Sequence, residues 1–374
     1  KQVIAGGNKV LSESVRLQAE ELRKSLLTEG IDATLERMLV EKHLDAAIPA
    51  LLVKVIRRLF YAIPILIGIN LLTFALFFVV NTPDDMARMH LGMKRVTAEA
   101  IDKWKEERDY DKPLVYNSAA PGLDKVTDTI FFDKSLALFA FQFGTSDSGR
   151  DISHDISQRM WPSLAIAVPS LLVGLLVYIT LSLMIVFFRG TYVDFWGVVI
   201  AVVMLSISSM FYIIGGQYLI GKLLHLVPIS GFNTEDAWKF LVLPVIIAVI
   251  GGIGANTRFY RTIFLEEINR DYVRSARAKG LSEQRVLFGH VLRNALIPIL
   301  TGVVTALPLL FLGSLVTESF FGIPGLGSYT IDAINRQDFA IVRSMVFLGS
   351  VLYIVGLILT DISYTIADPR VRLN

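Results

Sequence analysis

Six stretches of the chain are apolar enough to form helices that cross a lipid bilayer. A spanning helix needs about 20 apolar residues, because the backbone inside the bilayer must satisfy its own hydrogen bonds. The stretches cover residues 59–80, 163–188, 195–214, 240–255, 296–316 and 344–360. None of them contains Asp, Glu, Lys, Arg or His. The pattern predicts an all-α integral membrane protein with six transmembrane helices, of which the fourth is short.

Basic residues next to the spans predict the side of the membrane on which each connection lies, since Lys and Arg are retained in the cytoplasm. Arg57 and Arg58 precede the first span. The connection 256–295, between the fourth and fifth spans, carries eight basic residues against four acidic ones. Arg370 and Arg372 follow the sixth span. We therefore expect both termini and the 256–295 loop in the cytoplasm.

The spans divide the chain into four parts. Residues 1–52 form a polar extension with helical periodicity, and residues 53–81 form a surface helix followed by the first span. Residues 82–162 form an extracytoplasmic segment in which Thr97 is placed to cap a helix. Residues 163–374 form the core with spans 2–6. The 1–52 extension is either a cytoplasmic helical addition to the fold or a docking element for a partner.

Composition agrees with a membrane protein and excludes several kinds of chemistry. The chain is 53% hydrophobic and 19% charged, with a mean hydropathy of +0.56. A net charge of +2 gives no general attraction for nucleic acid. Cysteine is absent, which excludes disulfides and thiolate chemistry. The five histidines lack ligand spacing, and no nucleophile elbow is present, so we expect neither a metal site nor a catalytic residue.

The sequence contains no obvious energy source for a transporter. There is no GxxxxGK[ST] phosphate loop, so we do not expect this chain to bind or hydrolyse ATP itself. A proton-coupled secondary transporter keeps ionisable groups within its spans, and the predicted spans have none. A sodium-coupled transporter, which can hold its ion with carbonyl and hydroxyl groups, remains open.

The string RDYVRSARAKGLSEQRVLFGHVLRNALIP, residues 270–298, is a strongly basic loop between two apolar spans. Residues 266–279 are predicted to form a helix with acids near its start and bases near its end, as the helix dipole favours. Gly280 ends that helix. Ser282 is placed to cap a second helix, which begins at the next residue and continues towards Pro298.

This helix-turn-helix has three interpretations. DNA-binding proteins use a similar turn, and a basic loop can also bind anionic lipid. A docking surface for a separate motor protein accounts better for the missing energy source. The residues expected to form that surface are Arg274, Ser275, Ala276, Arg277, Lys279, Gly280, Leu281, Ser282 and Pro298.

The same loop resembles the EAA loop of permease subunits in binding-protein-dependent ABC importers. The run RSA at 274–276, Gly280 and the later Ile297-Pro298 carry the resemblance. DYVRSARAKGLS and VLRNALIP are similar in particular to the oligopeptide, dipeptide and nickel branch, in which Arg also replaces the Glu of the general motif. Further similar strings, from about residue 54 onward, are VIRRLFYAIPILIGINLLTF, YDKPLVYN, FGTSDSGRDIS, LVPISGF, FFGIPGLGSYTIDAINRQDF and DPRVR. The first of these favours the first-permease type.

The resemblance implies a six-span type I permease in the cytoplasmic (inner) membrane of a prokaryote. It implies pairing with a homologous second permease, two cytoplasmic ABC ATPases and an extracytoplasmic solute-binding protein. ATP and Mg²⁺ would bind to the ATPases and no cofactor to this chain, while the loop around Gly280 would seat in a groove on one ATPase. The implied cargo is peptides, with nickel or another small solute as the alternative within the family. A stand-alone secondary transporter and a membrane-anchored signalling or structural protein are alternatives from other classes.

Polar residues inside the third and fifth spans are candidates for lining a translocation pathway. They are Ser206, Ser208, Ser209, Met210, Thr301 and Thr305. The hydroxyl groups of the serines and threonines suit the neutral polar backbone of a peptide. Close packing of helices through small residues explains the same serines and threonines equally well.

Overall fold

The computed structural model describes residues 55–92 and 96–367, with side chains up to residue 363. Phe60–Ser363 form one compact unit. The 1–52 extension and the arginines at 370 and 372 lie outside the described residues. Within the described ranges the regular secondary structure is helical, apart from one isolated bridge between Thr145 and Asp151, which confirms the all-α prediction.

The described helices follow one another along the chain with short connections, except between α3 and α4, between α4 and α5, and between α7 and α8. They are α1 (Val55–Val80), α2 (Pro83–Leu91), α3 (Ala98–Glu106), α4 (Asp124–Thr127), α5 (Ile152–Phe187), α6 (Tyr192–Ser206), α7 (Ser209–Leu223), α8 (Ala237–Ile268), α9 (Asp271–Ala278), α10 (Glu283–Leu312), α11 (Leu315–Phe321), α12 (Leu326–Arg336) and α13 (Phe339–Ala367). A π-helical turn, Phe131–Ser135, and a 3-10 turn, Leu136–Ala140, lie between α4 and α5.

In the part of the chain that the structure describes, five helices, α1, α5, α8, α10 and α13, are each long and apolar enough to cross a membrane, and α6 with α7 makes a sixth crossing if the bent pair is one span. The prediction of a short fourth span was wrong, because α8 continues past its apolar part to Ile268 and has 32 residues. The predicted end of the fifth span at residue 316 was also wrong. The helix ends at Leu312 because Gly313, with φ of +70°, turns the chain.

The third predicted span is broken in the middle. Between α6 and α7 the chain bends by 89° at Ile207 and Ser208, which both have extended backbone angles. The Ser206 hydroxyl donates to the Val202 carbonyl, a local bond that competes with regular helix geometry. The Tyr212 hydroxyl donates to the carbonyl of residue 204 and so satisfies part of the freed backbone.

Helices α5 and α8 form the central pair of the fold. The Tyr178 hydroxyl of α5 donates to the Val249 carbonyl of α8 at 3.0 Å, and the Ser182 hydroxyl donates to the Thr257 carbonyl at 2.9 Å. On the other side of α8, Gly254 permits close approach of α6, because a Cβ there would lie 2.6 Å from the main-chain nitrogen of residue 205. Polar bonds and small residues thus hold the spans together, as expected where lipid provides no hydrophobic drive between helices.

The segment between α1 and α5 packs against the end of α1. Phe78, at the end of α1, is buried together with Trp104 of α3 and Tyr110. Thr97 caps α3 by accepting a hydrogen bond from the Ala100 main chain at 3.3 Å, which confirms the predicted cap. This segment is therefore folded onto the rest of the protein by an apolar cluster of its own.

Candidate functional site

The basic loop consists of α9 and the turn that joins it to α10. The sequence predicted one helix over 266–279, and that prediction was wrong in one respect: α8 ends at Ile268, and α9 begins only at Asp271. The Asn269 side chain donates to the Leu265 carbonyl at 2.8 Å, which provides a partner for a carbonyl at the end of α8. The second predicted helix does begin at Glu283, as expected.

The turn after α9 is a Schellman motif centred on Gly280. The Gly280 N–H donates to the Arg277 carbonyl at 2.9 Å, and the Leu281 N–H donates to the Ala276 carbonyl at 3.4 Å. This pair of bonds requires a left-handed residue after the helix, and Gly280 has φ of +77°. The predicted role of this glycine as the helix stop is confirmed.

Two side chains of opposite charge close the same turn. The Arg277 guanidinium donates through Nε and Nη2 to the two carboxylate oxygens of Glu283, at 2.9 and 3.1 Å. Ser282 occupies the N-cap position of α10, but its hydroxyl makes no capping hydrogen bond. The bidentate ion pair therefore links α9 to α10 where the sequence predicted a serine cap.

One face of α9 is buried against the ends of α5, α8 and α10. Val273 and Ala276 belong to a core cluster with Val286 and Phe264, and Ala276 is 5% exposed. Ala276 therefore lies inward and cannot contact a partner directly. Burial and a hydrogen bond to the Glu267 carboxylate raise the pKa of Tyr272, on the same helix, to about 12, so its hydroxyl stays protonated and donates to that carboxylate.

The opposite face of the loop is exposed and basic. The exposed residues are Arg274, Ser275, Arg277, Ala278, Lys279, Gly280 and Ser282. A Cβ built on Gly280 would have no atom within 4 Å, so the protein leaves open space in front of this turn. Pro298 is also exposed, but it lies along α10 roughly 20 Å from Ser282 at the usual rise per residue. The structure therefore brings together the predicted loop residues except Ala276, which faces inward, Leu281, which is partly buried, and Pro298.

The predicted pathway residues fall into two groups. Ser206, Ser208, Ser209 and Met210 are exposed at the break between α6 and α7. In α10, Thr301 is 3% exposed and bonds its own helix, while the Thr305 hydroxyl lies 2.6 Å from the Thr360 hydroxyl of α13. The α10 threonines thus make hydrogen bonds within α10 and to α13, as the packing alternative expects, and their pathway role stays a prediction.

A cleft of about 360 Å³ lies between α5, α8 and the connection from α10 to α11. Sequence reasoning missed its lining, because the polar residues are scattered singly through apolar helices. The polar side chains that line it are Ser163, Ser170, Tyr178, Asn256, Tyr260, Ser314, Thr317 and Glu318. Hydroxyl and amide groups dominate, so the cleft offers hydrogen bonds with little formal charge.

Glu318, at one end of this cleft, is 1% exposed and holds two helices together. Its carboxylate accepts hydrogen bonds from the main-chain N–H groups of Ser314, Gly327 and Ser328 at 2.7–3.1 Å, which satisfies the start of α12. Burial raises the pKa of Glu318 above its usual value, although these bonds and one from Ser163 oppose the rise. The signal in the sequence was an acid followed, after one serine, by the Gly- and Pro-rich string FFGIPGLG.

Among the described residues, five apolar spanning helices with the bent pair α6–α7, a largely apolar cleft that carries neutral hydroxyl and amide groups, and an exposed basic turn fit a multi-span membrane transport protein. A family model described as "Binding-protein-dependent transport system inner membrane component" matches residues 163–373. The chain belongs to this family and is a permease subunit of a binding-protein-dependent importer. The match begins at α5 and includes the whole basic loop.

Full-length relatives resemble almost all of the chain. The oligopeptide transport system permease protein AppB of Bacillus subtilis is 29% identical over 335 residues, which cover 85% of this chain and 98% of the relative. The di/tripeptide transport system permease protein DppB of Pseudomonas aeruginosa is 30% identical over 348 residues, covering 84% and 97%. The glutathione transport system permease protein GsiC of Salmonella typhimurium is 28% identical over 319 residues, covering 85% and 98%.

Proposed function

We propose that this chain imports peptides as one of two permeases, driven by two cytoplasmic ABC ATPases and supplied by an extracytoplasmic solute-binding protein. ATP and Mg²⁺ bind to the ATPases in this proposal, and the chain itself catalyses no reaction. Both termini and the α9–α10 loop are cytoplasmic, as the basic residues beside the spans favour. The segment between α1 and α5 then lies outside.

The observation that carries the proposal is the α9–α10 turn. On its inner face, Val273 is packed in the core. The Schellman hydrogen bonds define the shape of the turn, and the Arg277–Glu283 ion pair links its two helices on the outer face. The exposed side carries Arg274 and Lys279 and leaves free space at Gly280. A rigid turn with exposed donors and room for a facing surface is suited to transmit force from another subunit.

Peptide cargo is supported by two features. The relatives named above are peptide, dipeptide and glutathione permeases. The cleft lined by Tyr178, Asn256 and Thr317 presents hydroxyl and amide groups, which pair with the N–H and C=O groups of a peptide backbone irrespective of its side chains. We propose this cleft as this chain's share of the pathway, completed by the second permease.

The decisive experiment varies the side chain at Gly280. The complex is purified through this chain, and three quantities are measured: the amount of co-purified ATPase, the ATP hydrolysed, and labelled peptide transported into proteoliposomes. Gly280→Asn tests the backbone alone, since Asn tolerates the left-handed region. Gly280→Trp adds bulk in the space we assign to the ATPase. We expect the Asn variant to transport peptide and the Trp variant to lose transport per ATP hydrolysed, while remaining inserted in the membrane.

A matched control separates the effect of bulk at the docking surface from the strain of placing a side chain at a glycine with positive φ. Gly122, in the segment between α1 and α5, also has a positive φ, of +58°, and no atom within 4 Å of a built Cβ. Gly122→Trp therefore imposes the same substitution on the opposite side of the membrane and should retain coupling. Unchanged transport and ATPase content in Gly280→Trp would contradict the proposed docking role. Uptake of Ni²⁺ in place of peptide would instead contradict the proposal that peptides are the substrate.

A further inference from the structure

Arg343 is a buried cation for which the transport function described above has no use. It lies near the start of α13, and the residue is 4% exposed. Its Nε has no hydrogen-bond partner, and no carboxylate among the described residues forms an ion pair with its guanidinium group. Buried charges are normally paired, so this arginine calls for an explanation.

The neighbours of Arg343 compensate its charge only partly. The guanidinium carbon lies 5.2 Å from the centre of the Phe78 ring, a contact weaker than the cost of removing a cation from water. Asp338 is within electrostatic range, but its two oxygens accept bonds from the main-chain N–H groups of Asp147 and Ile341, at 2.9 and 3.2 Å. The carboxylate of Asp338 is therefore held by the backbone and forms no ion pair with the guanidinium.

Arg343 lines a cavity of about 250 Å³ under the segment between α1 and α5. Lys134 lines it as well, with its Nζ 3.5 Å from Asp109. Burial lowers the pKa of Lys134, Asp109 opposes that change, and the positive charge of Arg343 adds to it. The two cations therefore act on each other across the cavity.

The acidic residues around the cavity are already engaged. Arg108 lies 3.2 Å from the Asp147 carboxylate and 3.6 Å from that of Glu107. Asp109 pairs with Lys134, as described, and is largely exposed to solvent. None of these groups supplies the missing partner of Arg343.

We propose that this cavity is an anion site in which a small carboxylate, or another small monovalent anion, binds between Arg343 and Lys134. The guanidinium fork suits the two oxygens of a carboxylate, and the ammonium group supplies a further donor. The cavity is below the size range of sites for drug-sized ligands, so the ligand is a small ion or the terminal carboxylate of a peptide.

The test is the anion dependence of thermal stability. The full chain, with the subunits that purify with it, is unfolded in detergent in a low-salt buffer of a bulky sulfonate. Sodium acetate and sodium chloride are titrated separately at matched ionic strength. A ligand that binds only the folded state should raise the Tm saturably, by roughly 5 °C at a hundredfold excess over half-saturation. Triglycine compared with triglycine amide then distinguishes a peptide carboxylate from a free anion.

Variants identify the site. Arg343→Met should abolish the anion response and should be at least as stable as the parent in the sulfonate buffer, because it removes an unpaired buried charge. Lys134→Met should raise the half-saturating concentration several-fold, and it serves as the test if Arg343→Met does not fold. Arg336→Met, which removes an exposed arginine outside the cavity, should respond like the parent. A parent Tm independent of anion, or an equal rise in Arg343→Met, would overturn the proposal.

Discussion

Replacement of Gly254 by alanine should separate α6 from α8 and destabilise the protein. A Cβ on Gly254 would lie 2.6 Å from the main-chain nitrogen of Leu205 and 2.7 Å from the carbonyl oxygen of Ala201, both in α6. Neither atom can turn away as a side chain would. Because ordinary contact starts at 3.4 Å, α6 would have to shift by roughly 0.8 Å, which is the kind of overpacking that costs about 1–3 kcal/mol.

Gly251 is the matched control for this prediction, since it lies one turn earlier in the same helix. A Cβ there meets only the Cδ2 atom of Tyr212, at an ordinary 3.7 Å. In both variants alanine has a higher helix propensity than glycine, by about 1 kcal/mol. The difference in stability between the two variants therefore measures the cost of overpacking alone. Gly251→Ala should be neutral or slightly stabilising, and Gly254→Ala should unfold at a Tm roughly 2–8 °C below it.

The assay is thermal unfolding of the two variants and the parent in one detergent, followed by tryptophan fluorescence. The subunit content of the samples must be the same, because bound partners shift Tm by mass action. Equal Tm values for Gly254→Ala and Gly251→Ala would refute the reasoning and show that α6 does not press on α8 at this glycine. A lower Tm with unchanged transport would limit the role of Gly254 to stability.

Three further predictions concern Glu318 and the Arg261–Asp194 ion pair. Glu318→Ala leaves three main-chain N–H groups without acceptors and should lower the free energy of unfolding by about 3 kcal/mol or more. Glu318→Gln retains part of the bonding and should lower it by less. Comparable Tm values for the two variants would contradict this prediction. Because the pKa of Glu318 is raised on folding, the parent should lose stability as pH rises through that pKa, and Glu318→Gln should lack this loss. The partly buried Arg261–Asp194 pair, at 2.7 Å, joins α8 to α6, so Arg261→Met should destabilise by about 1 kcal/mol and Arg261→Met with Asp194→Leu by less than the sum of the single changes, as measured by Tm in a double-mutant cycle. Additive effects would show that the two charges do not interact.

The features that the sequence predicted correctly are those determined by a few neighbouring residues. The turn at Gly280 depends on a helix, a glycine and the residue that follows, so it was recognisable from the string AKGL. The Thr97 cap is equally local. The positions of the spans followed from long apolar runs, and their ends were less accurate because charged residues such as Arg258 continue α8 beyond its apolar part.

The features that could not be predicted depend on contacts between distant parts of the chain. The break at Ile207 and Ser208 has no Gly or Pro beside it; its local signal was the group of serines at 206, 208 and 209, which the sequence assigned to the pathway instead. Glu318 and Arg343 stand just outside the predicted spans, where the sequence favours exposure, yet both are buried. Ser163 of α5 bonds Glu318, and Phe78 of α1 packs against Arg343. The lining of the cleft by Ser163 was missed for the same reason, since the residue faces α11 and α12.

The basic loop and the cleft share one body of packed side chains. Val273 and Ala276, on the inner face of α9, belong to the same buried cluster as Tyr178 and Tyr260. These two tyrosines also line the cleft between α5 and α8. Because a close-packed core resists compression, a displacement of the loop by an ATPase must move these helices or break their contacts. Tyr178 is bonded to the Val249 carbonyl, which ties α5 to α8 beside the cleft, so the two helices should move together. Packed side chains thus connect the proposed docking surface to the proposed translocation pathway without a gap. Coupling between them requires that the docking surface and the pathway each have two discrete arrangements.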